Sequence, residues 1–482
     1  MNEILNLKPE RVWYYFNEIC KIPRPSKKEE KIIQWLLDFG KKQNLETIKD
    51  EVGNVLIRKP ATKGKEKSKT IVLQSHIDMV CEKNAETNHD FDKDSIIPIM
   101  DGEWVKAKGT TLGADDGIGM AAQLAVLESA NLAHGPIECL FTVDEETGLT
   151  GAFALKEHFL KGSILLNLDS EDEGQLFIGC AGGIDTTVTM PFKKENMPTH
   201  HLSFNISVKG LKGGHSGDDI NKGRGNAVKI INRFLWNASD KFKIRISKLN
   251  GGNLRNAIAR EAFAEIAVPE QKKIDFMQYA SQFGETIKNE LKTNEPDLNF
   301  SVEPIPASSM LIDEDTQKRL LNSLYICPHG VIAMSSDMPG LVETSTNLAS
   351  VKMRDDEFFI QTSQRSSIHS SKIDIATMVE IVFKTAGAKA THGDGYPGWK
   401  PNINSEILNI TKNVYTKLFK TEPKVLAIHA GLECGVIGEK YKGMDMISFG
   451  PTLRGVHSPD ERIHAGSVEK FWKLLIEILK EV

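Results

Sequence analysis

Three apolar runs in the first part of the chain each end in acids or histidine, and this recurrence restricts the fold more than any other feature. Thr70-Ile-Val-Leu-Gln-Ser-His-Ile-Asp78 is the first. Ile137-Glu-Cys-Leu-Phe-Thr-Val143 runs straight into Asp144-Glu-Glu-Thr-Gly-Leu-Thr-Gly151, and Ser163-Ile-Leu-Leu-Asn-Leu-Asp169 into Ser170-Glu-Asp-Glu173. Mainly apolar runs of this length predict strands buried on both faces, the habit of parallel sheets whose crossovers are helices. Binding groups in such sheets collect at the strand C-terminal ends. His76, Glu145, Glu146 and Asp169 all fall there.

Between the first two runs lies Thr111-Leu-Gly-Ala-Asp-Asp-Gly-Ile-Gly119. It opens a helix on which Ile118, Ala121, Ala122, Leu124, Ala125 and Leu127 recur at helical spacing, ending near Asn131. Asp115 and Asp116 sit side by side among three glycines. Burying carboxylates is costly unless a positive partner receives them, and a helix N-terminus offers only about half a charge. A hard or borderline metal ion offers more, with Asp115 as its ligand and the glycines letting backbone pass close to a crowded centre. His76 and Asp78 share one face of their strand, which suits a histidine ligand oriented by a carboxylate. A buried histidine bonded to a local acid fits that pair equally well. Three consecutive acids at Asp144–Glu146 repel one another, and a solvated loop is the weaker reading because the preceding strand reads as fully buried.

Length and patterning imply more than one domain. At 482 residues the chain exceeds a single compact core. The expected division is a catalytic α/β domain in two parts, 1–186 and 392–482, interrupted by an antiparallel α+β domain at 187–391. Two helices open the chain, the second starting at Ser26 with Glu29 as a capping box and stopping at Gly40. A hairpin turning at Val52-Gly-Asn54 follows. In the middle segment strands are expected at 201–208, 243–247, 261–267, 348–353 and 357–362, with helices at 225–236, 275–291 and 372–386. There His215 is flanked by glycines, so its backbone can approach a ligand or another chain, and Asn256 and Arg365 could bind a carboxylate or carbonyl, although a structural role is the commoner one for each. In the last segment a helix at Glu406–Phe419 precedes a strand at Lys424–His429, and Asp445–Phe449 is a final strand. It leads into a Gly/Pro-rich loop carrying His457.

The net charge of -5 and the 26% charged content indicate no general affinity for nucleic acid or anionic membranes. The six cysteines are scattered without paired spacing, as expected of buried thiols, Cys81, Cys139 and Cys180 among them, in a reducing compartment. No basic-then-apolar leader opens the chain and no run reaches the roughly 20 apolar residues of a membrane span. A soluble, cytoplasmic protein is the expectation.

Six motifs occur in order: Ser75-His-Ile-Asp78, Gly113-Ala-Asp-Asp116, Asp144-Glu-Glu-Thr-Gly148, Asn167-Leu-Asp169, Gly213-Gly-His-Ser-Gly217 and Gly455-Val-His-Ser-Pro459. Together they resemble the dinuclear zinc aminopeptidase and carboxypeptidase superfamily that includes carboxypeptidase G2, peptidase T and the dipeptidases. The fuller phrases His76-Ile-Asp-Met-Val-Cys-Glu-Lys-Asn84, Ile428-His-Ala-Gly-Leu-Glu-Cys-Gly435 and Ser448-Phe-Gly-Pro451 resemble the bacterial aminoacylhistidine dipeptidases, the Xaa-His or peptidase D type. The resemblance implies a mainly parallel zinc-peptidase sheet flanked by helices, with an inserted α+β lid domain. It implies two Zn2+ per subunit, with Mn2+ or Co2+ as possible substitutes. Asp115 would bridge them, His76 and Asp169 completing one site and Glu146 and His457 the other. Glu145 would be the general base for a water held between the ions, and Asp78 would orient His76. A cis peptide between Asp115 and Asp116 is also implied, with Asp116 fixing the turn. His215, Asn256, Arg365 and Gly431 would contact substrate, and the lid would carry a homodimer interface through which His215 serves the other subunit.

The expected reaction is hydrolysis of Xaa-His and other unblocked dipeptides. An N-acyl amino acid deacylase or a broad di- and tripeptidase would use the same metal core. A non-catalytic metal-binding dimer would tolerate loss of Glu145. A serine triad is disfavoured, because neither Ser216 nor Ser458 sits in a strand–turn–helix elbow.

Overall fold

The computed structural model describes residues 3–308 and 310–482, so Met1 and Asn2 of the N-terminal stretch lie outside it. The chain forms two compact units, Met1–Cys180 with Trp399–Ala427 and Leu432–Val482, and Ala181–Gly398 with Ile428–Gly431. The first passage lies at Ala181, ahead of 187, because Gly182–Pro191 is one unbroken strand of the second unit's sheet. The return comes after 392 because Lys389–His392 and then Tyr396 still pair with that strand.

In the first unit an eight-stranded sheet runs in the order Glu46–Lys49, Val55–Lys59, Ile137–Thr142, Ile71–His76, Ile164–Asn167, Asp445–Ser448, Gln175–Cys180, Lys424–Ile428. Its centre is parallel: Ile71–His76 pairs in parallel with Ile137–Thr142 and Ile164–Asn167, and Asp445–Ser448 with Ile164–Asn167. The hairpin Glu46–Lys59 and the strand Gln175–Cys180 join antiparallel. Every residue of Ile71–His76 and of Ile137–Thr142 is buried, the physical reason for their mainly apolar character. Ala114–Glu128 is buried nearly all round rather than on one face, and it ends before Asn131. The helix Glu10–Cys20 packs against it.

The capping box expected at Ser26 does not form. The second helix is Glu30–Lys42, running through Gly40, and no side chain caps its N-terminus. The Ser26 hydroxyl donates instead to Asp78 Oδ2 at 2.8 Å, and Glu29 Oε1 accepts the N–H groups of Lys27 and Asp144 at 2.9 and 3.1 Å. Both side chains thus serve the strand ends rather than their own helix.

The second unit is built on a nine-stranded antiparallel sheet in the order Asn299–Ile305, His201–Lys209, Ala262–Pro269, Arg245–Gly251, Val342–Met353, Glu357–Ser366, Gly182–Pro191, Lys389–His392, with Gly330–Met334 also paired to Val342–Met353. The helices Ala227–Phe242, Lys273–Leu291, Glu314–Ile326 and His369–Thr385 pack on it. Its core includes Phe204, Phe234, Phe276, Phe358 and Phe383. All six cysteines are free; five are buried and Cys81, expected buried, is half-buried. Among the described residues no helix is long and apolar enough to cross a membrane.

Candidate metal centre

The parallel strand ends bring together the acids and histidines that the spacing singled out. His76 closes its strand fully buried, and its Nδ1 lies 3.4 Å from Asp78 Oδ1. Its Nε2 faces Asp115 Oδ1 at 3.0 Å and Asp169 Oδ1 at 3.4 Å. His457 Nε2 faces the other oxygen of Asp115, Oδ2, at 3.2 Å, and Glu146 Oε2 at 3.1 Å. Two clusters, His76–Asp115–Asp169 and Asp115–Glu146–His457, therefore share Asp115, each with its ligand atoms within 4.8 Å of one another. Glu145 groups likewise with His76 and Glu146.

Backbone geometry sets these positions. Asp78 accepts the N–H of Glu145 at 3.0 Å on Oδ1 and that of Glu146 at 3.3 Å on Oδ2, so one carboxylate orients His76 and seats the acidic turn. The turn enters through Asp144 in the left-handed region, φ 50°, and Asp144 accepts from the hydroxyls of Thr147 and Thr150. The Asp115–Asp116 peptide is cis. Asp116 is buried and accepts the Gly119 N–H at 3.1 Å, which holds the turn as expected.

One of the loop glycines has a local reason of its own. Gly113 has φ +69°, and a Cβ there would lie 2.6 Å from Arg24 Nη2. The close neighbour is thus a buried arginine. Arg24 donates to the carbonyls of Ile77, Asp78 and Gly113. Glu461 grips the same loop by its amides, accepting the N–H groups of Leu112, Gly113, Ala114 and Asp115. Sequence reasoning missed both residues. The only available signal was that Glu461 follows His457 in the same loop.

Electrostatics show what the cluster lacks. The ion pairs of Asp115, Glu146 and Asp169 among the described residues are with His76 and His457, and no lysine or arginine joins them. Burial alone would raise Asp115, yet hydrogen bonds from His457 and His76 hold it well below the usual carboxylate range. Those to Asp115 and Glu146 lift His457 to about 11. Burial, reinforced by Asp115 and Glu145, raises Asp169 well above its ordinary value. Burial, with Glu433, Glu146 and Asp115 nearby, pushes Glu145 up to about 8. Glu146 Oε1 is buried without a hydrogen-bond partner. An orphaned oxygen among crowded carboxylates and two imidazoles is the donor set that divalent cations fit.

The other candidates lie in the second unit. Buried Arg365 donates from Nη1 to the Tyr396 hydroxyl at 3.0 Å, and its Nη2 lies 3.3 Å from His215 Nε2. His215 Nδ1 lies 3.2 Å from Asp218 Oδ2. Gly431 packs so closely that a Cβ would fall 2.8 Å from the Tyr396 ring. Asn256 is tied in through its backbone carbonyl, which accepts the Ser216 N–H at 2.8 Å, while its side chain is exposed. Tyr396, which links Arg365 to Gly431, sits in the Gly393–Pro401 loop, whose sequence signalled only rigidity.

Similarity to known proteins agrees with this geometry. The chain is 46% identical to the cytosol non-specific dipeptidase of Escherichia coli (strain K12) over 485 aligned positions, covering 100% of this chain and 99% of that protein. The crystal structure of aminoacylhistidine dipeptidase from Vibrio alginolyticus superposes with a TM-score of 0.95 at 44% identity, covering 100% of this chain and 98% of that one. Aminopeptidase PepT from Bacillus cereus, at 18% identity and a TM-score of 0.57, shares the fold over 98% of this chain and 99% of its own. The profile of Peptidase family M20/M25/M40 matches residues 72–481. The chain belongs to that family and is a peptidase, a hydrolase of peptide bonds.

Proposed function

We propose that the protein is a dinuclear zinc-dependent dipeptidase that hydrolyses unblocked dipeptides, Xaa-His and β-alanyl-histidine types included, in the cytoplasm. The observation that carries this reading is the division of the Asp115 carboxylate between His76 and His457. The names of the Escherichia coli and Vibrio alginolyticus relatives support dipeptides as substrates, and that of the former supports the compartment. Two imidazoles and three carboxylates suit zinc, with manganese or cobalt as substitutes.

His76, Asp115 and Asp169 would hold one cation and Asp115, Glu146 and His457 the other. Bound there, two cations would polarise the scissile carbonyl and raise the acidity of a water between them. Glu145 takes the proton of the attacking water and returns it to the leaving amine. Asp78 keeps His76 oriented through Nδ1. Arg365, with His215, Asn256 and Gly431, receives the substrate carboxylate or its neighbouring atoms.

A homodimer through the 181–398 unit is part of the proposal. Gly330–Met334 pairs on one edge with Val342–Met353. Val331, Ile332 and Met334, together with nearby Tyr325 and Ile326, are exposed. An apolar strand edge of this kind favours a second copy.

The test is divalent-ion content and turnover on β-alanyl-histidine, Xaa-His, other dipeptides and N-acetyl amino acids, before and after chelation. Two ions per chain and dipeptide cleavage lost on chelation are expected. Cleavage of the N-acetyl compounds alone would instead indicate a deacylase.

A further inference from the structure

The parallel strands that carry the candidate ligands break their apolar runs with polar side chains just below the site. Gln74 and Asn167 are register partners across two strands, and Asn167 is in register with Ser448 on the next. Gln74, Thr142, Asn167, Ser448 and Glu433 are each fully buried at 0% exposure, where apolar residues would cost nothing in hydrogen bonding.

Their hydrogen bonds all run one way. Ser448 Oγ donates to Asn167 Oδ1. Its proton being used there, Ser170 Oγ must be the donor in the 2.6 Å contact between the two hydroxyls. Asn167 Nδ2 donates to Gln74 Oε1 at 2.6 Å, and Gln74 Nε2 to Glu433 Oε2 at 2.5 Å. Thr142 Oγ1 donates to the same Glu433 oxygen at 2.8 Å. The series starts beside Asp169, crosses three strands and ends on a carboxylate. Aligned dipoles of this kind strengthen one another.

Stability alone does not require this arrangement, since buried polar pairs can be exchanged for apolar groups of like shape at little cost. Position gives it a use. His76 lies two residues beyond Gln74 on the same strand face, and Asp169 two residues beyond Asn167.

Building on the metal reading above, we propose that Ser170, Ser448, Asn167, Gln74 and Glu433 form a buried hydrogen-bonded bar that sets the separation of His76 and Asp169. These are positioning residues; none is placed among the ligands. The bar fixes the side-chain amides of neighbouring strands against one another, so that the strand ends present imidazole and carboxylate at the spacing one cation needs. Partners behind the ligands contribute in this way at other metal sites, where their loss weakens binding about tenfold to a hundredfold.

The experiment is zinc titration of the full chain against a chromophoric chelator, with the thermal midpoint of the metal-free protein measured in parallel. Ser448→Ala, which removes one hydroxyl and little volume, and Glu433→Leu are expected to weaken one zinc site about tenfold or more. The other site should change little, and the loss at the affected site should exceed what the fall in the metal-free midpoint accounts for, since each variant also leaves a buried polar group unpaired. Glu433→Gln keeps an acceptor for Gln74 and Thr142 and should stay close to the parent. The proposal is overturned if Ser448→Ala binds both ions like the parent, or if affinity falls only in step with the metal-free midpoint. A parent chain that takes up no zinc would overturn the metal reading itself, whereas a two-zinc parent with unaffected variants would remove the bar alone.

Discussion

Glu461 accepts the backbone N–H of Asp115 at 3.3 Å, while its two oxygens also take the amides of Leu112, Gly113 and Ala114 at 2.7 to 2.9 Å. A single buried carboxylate thus satisfies the amide row of the loop that presents the shared aspartate. Glu461→Ala leaves those groups without an acceptor and should cost about 3 kcal/mol of stability in the metal-free protein. Urea denaturation measures this, and a midpoint equal to the parent's would show that the loop is held by other contacts.

Glu145→Gln removes the proposed base while keeping its shape. Turnover on dipeptides should fall about a hundredfold to ten-thousandfold, with the bound-ion content unchanged. Elemental analysis beside a kinetic assay separates this outcome from loss of the metal centre. Retained turnover would favour a binding role for the residue.

Arg365 is seated by the Tyr396 hydroxyl and lies against His215. Arg365→Ala should raise KM for dipeptides by about tenfold or more, and Arg365→Lys should recover little, because lysine lacks the planar fork. Dipeptides amidated at the C-terminus provide the control. They should lose nothing further in the variant.

His429 is buried with its Nε2 2.7 Å from Ser345 Oγ. Burial, then the neighbouring Arg365 guanidinium, push its pKa down to about 4 from the ordinary 6.5. The folded protein therefore favours the neutral ring. The associated stability is fully present above 6.5 and is lost as pH falls from there toward 4. A shift of this size corresponds to about 3 kcal/mol over the full window. Urea unfolding at pH 7.5 and 4.5 should show a smaller acid loss in His429→Gln than in the parent.

Ile332 is 45% exposed on the Gly330–Met334 strand. Ile332→Asp should convert the proposed dimer to monomer by light scattering, with the metal content preserved. If His215 acts across the interface, turnover should fall along with the dimer.

Much of the site was legible because strand ends are read from abrupt changes in polarity. Ile71–His76, Ile137–Thr142 and Ile164–Asn167 stop where acids or histidine begin, and the helix Glu406–Phe419 has the expected limits. The antiparallel unit was read less completely. Asn299–Ile305, Gly330–Met334 and Lys389–His392 escaped notice, since they are edge or near-edge strands with little burial to impose a pattern. Ser26 and Glu29 carried the signature of a helix cap but bond to Asp78 and Asp144, a tertiary use that local spacing does not encode. Arg24 and Glu461 were invisible for the same reason, because each acts on backbone atoms far away in sequence.

The loop bearing Asp115 is held at Gly113 by Arg24, near the start of the chain, and by Glu461, near its end. During synthesis the loop, its helix and most of the acids leave the ribosome long before Glu461 and His457 do. Until that last part of the chain is made, the proposed metal centre lacks both the His457 imidazole and the Glu461 carboxylate that holds the Asp115 loop.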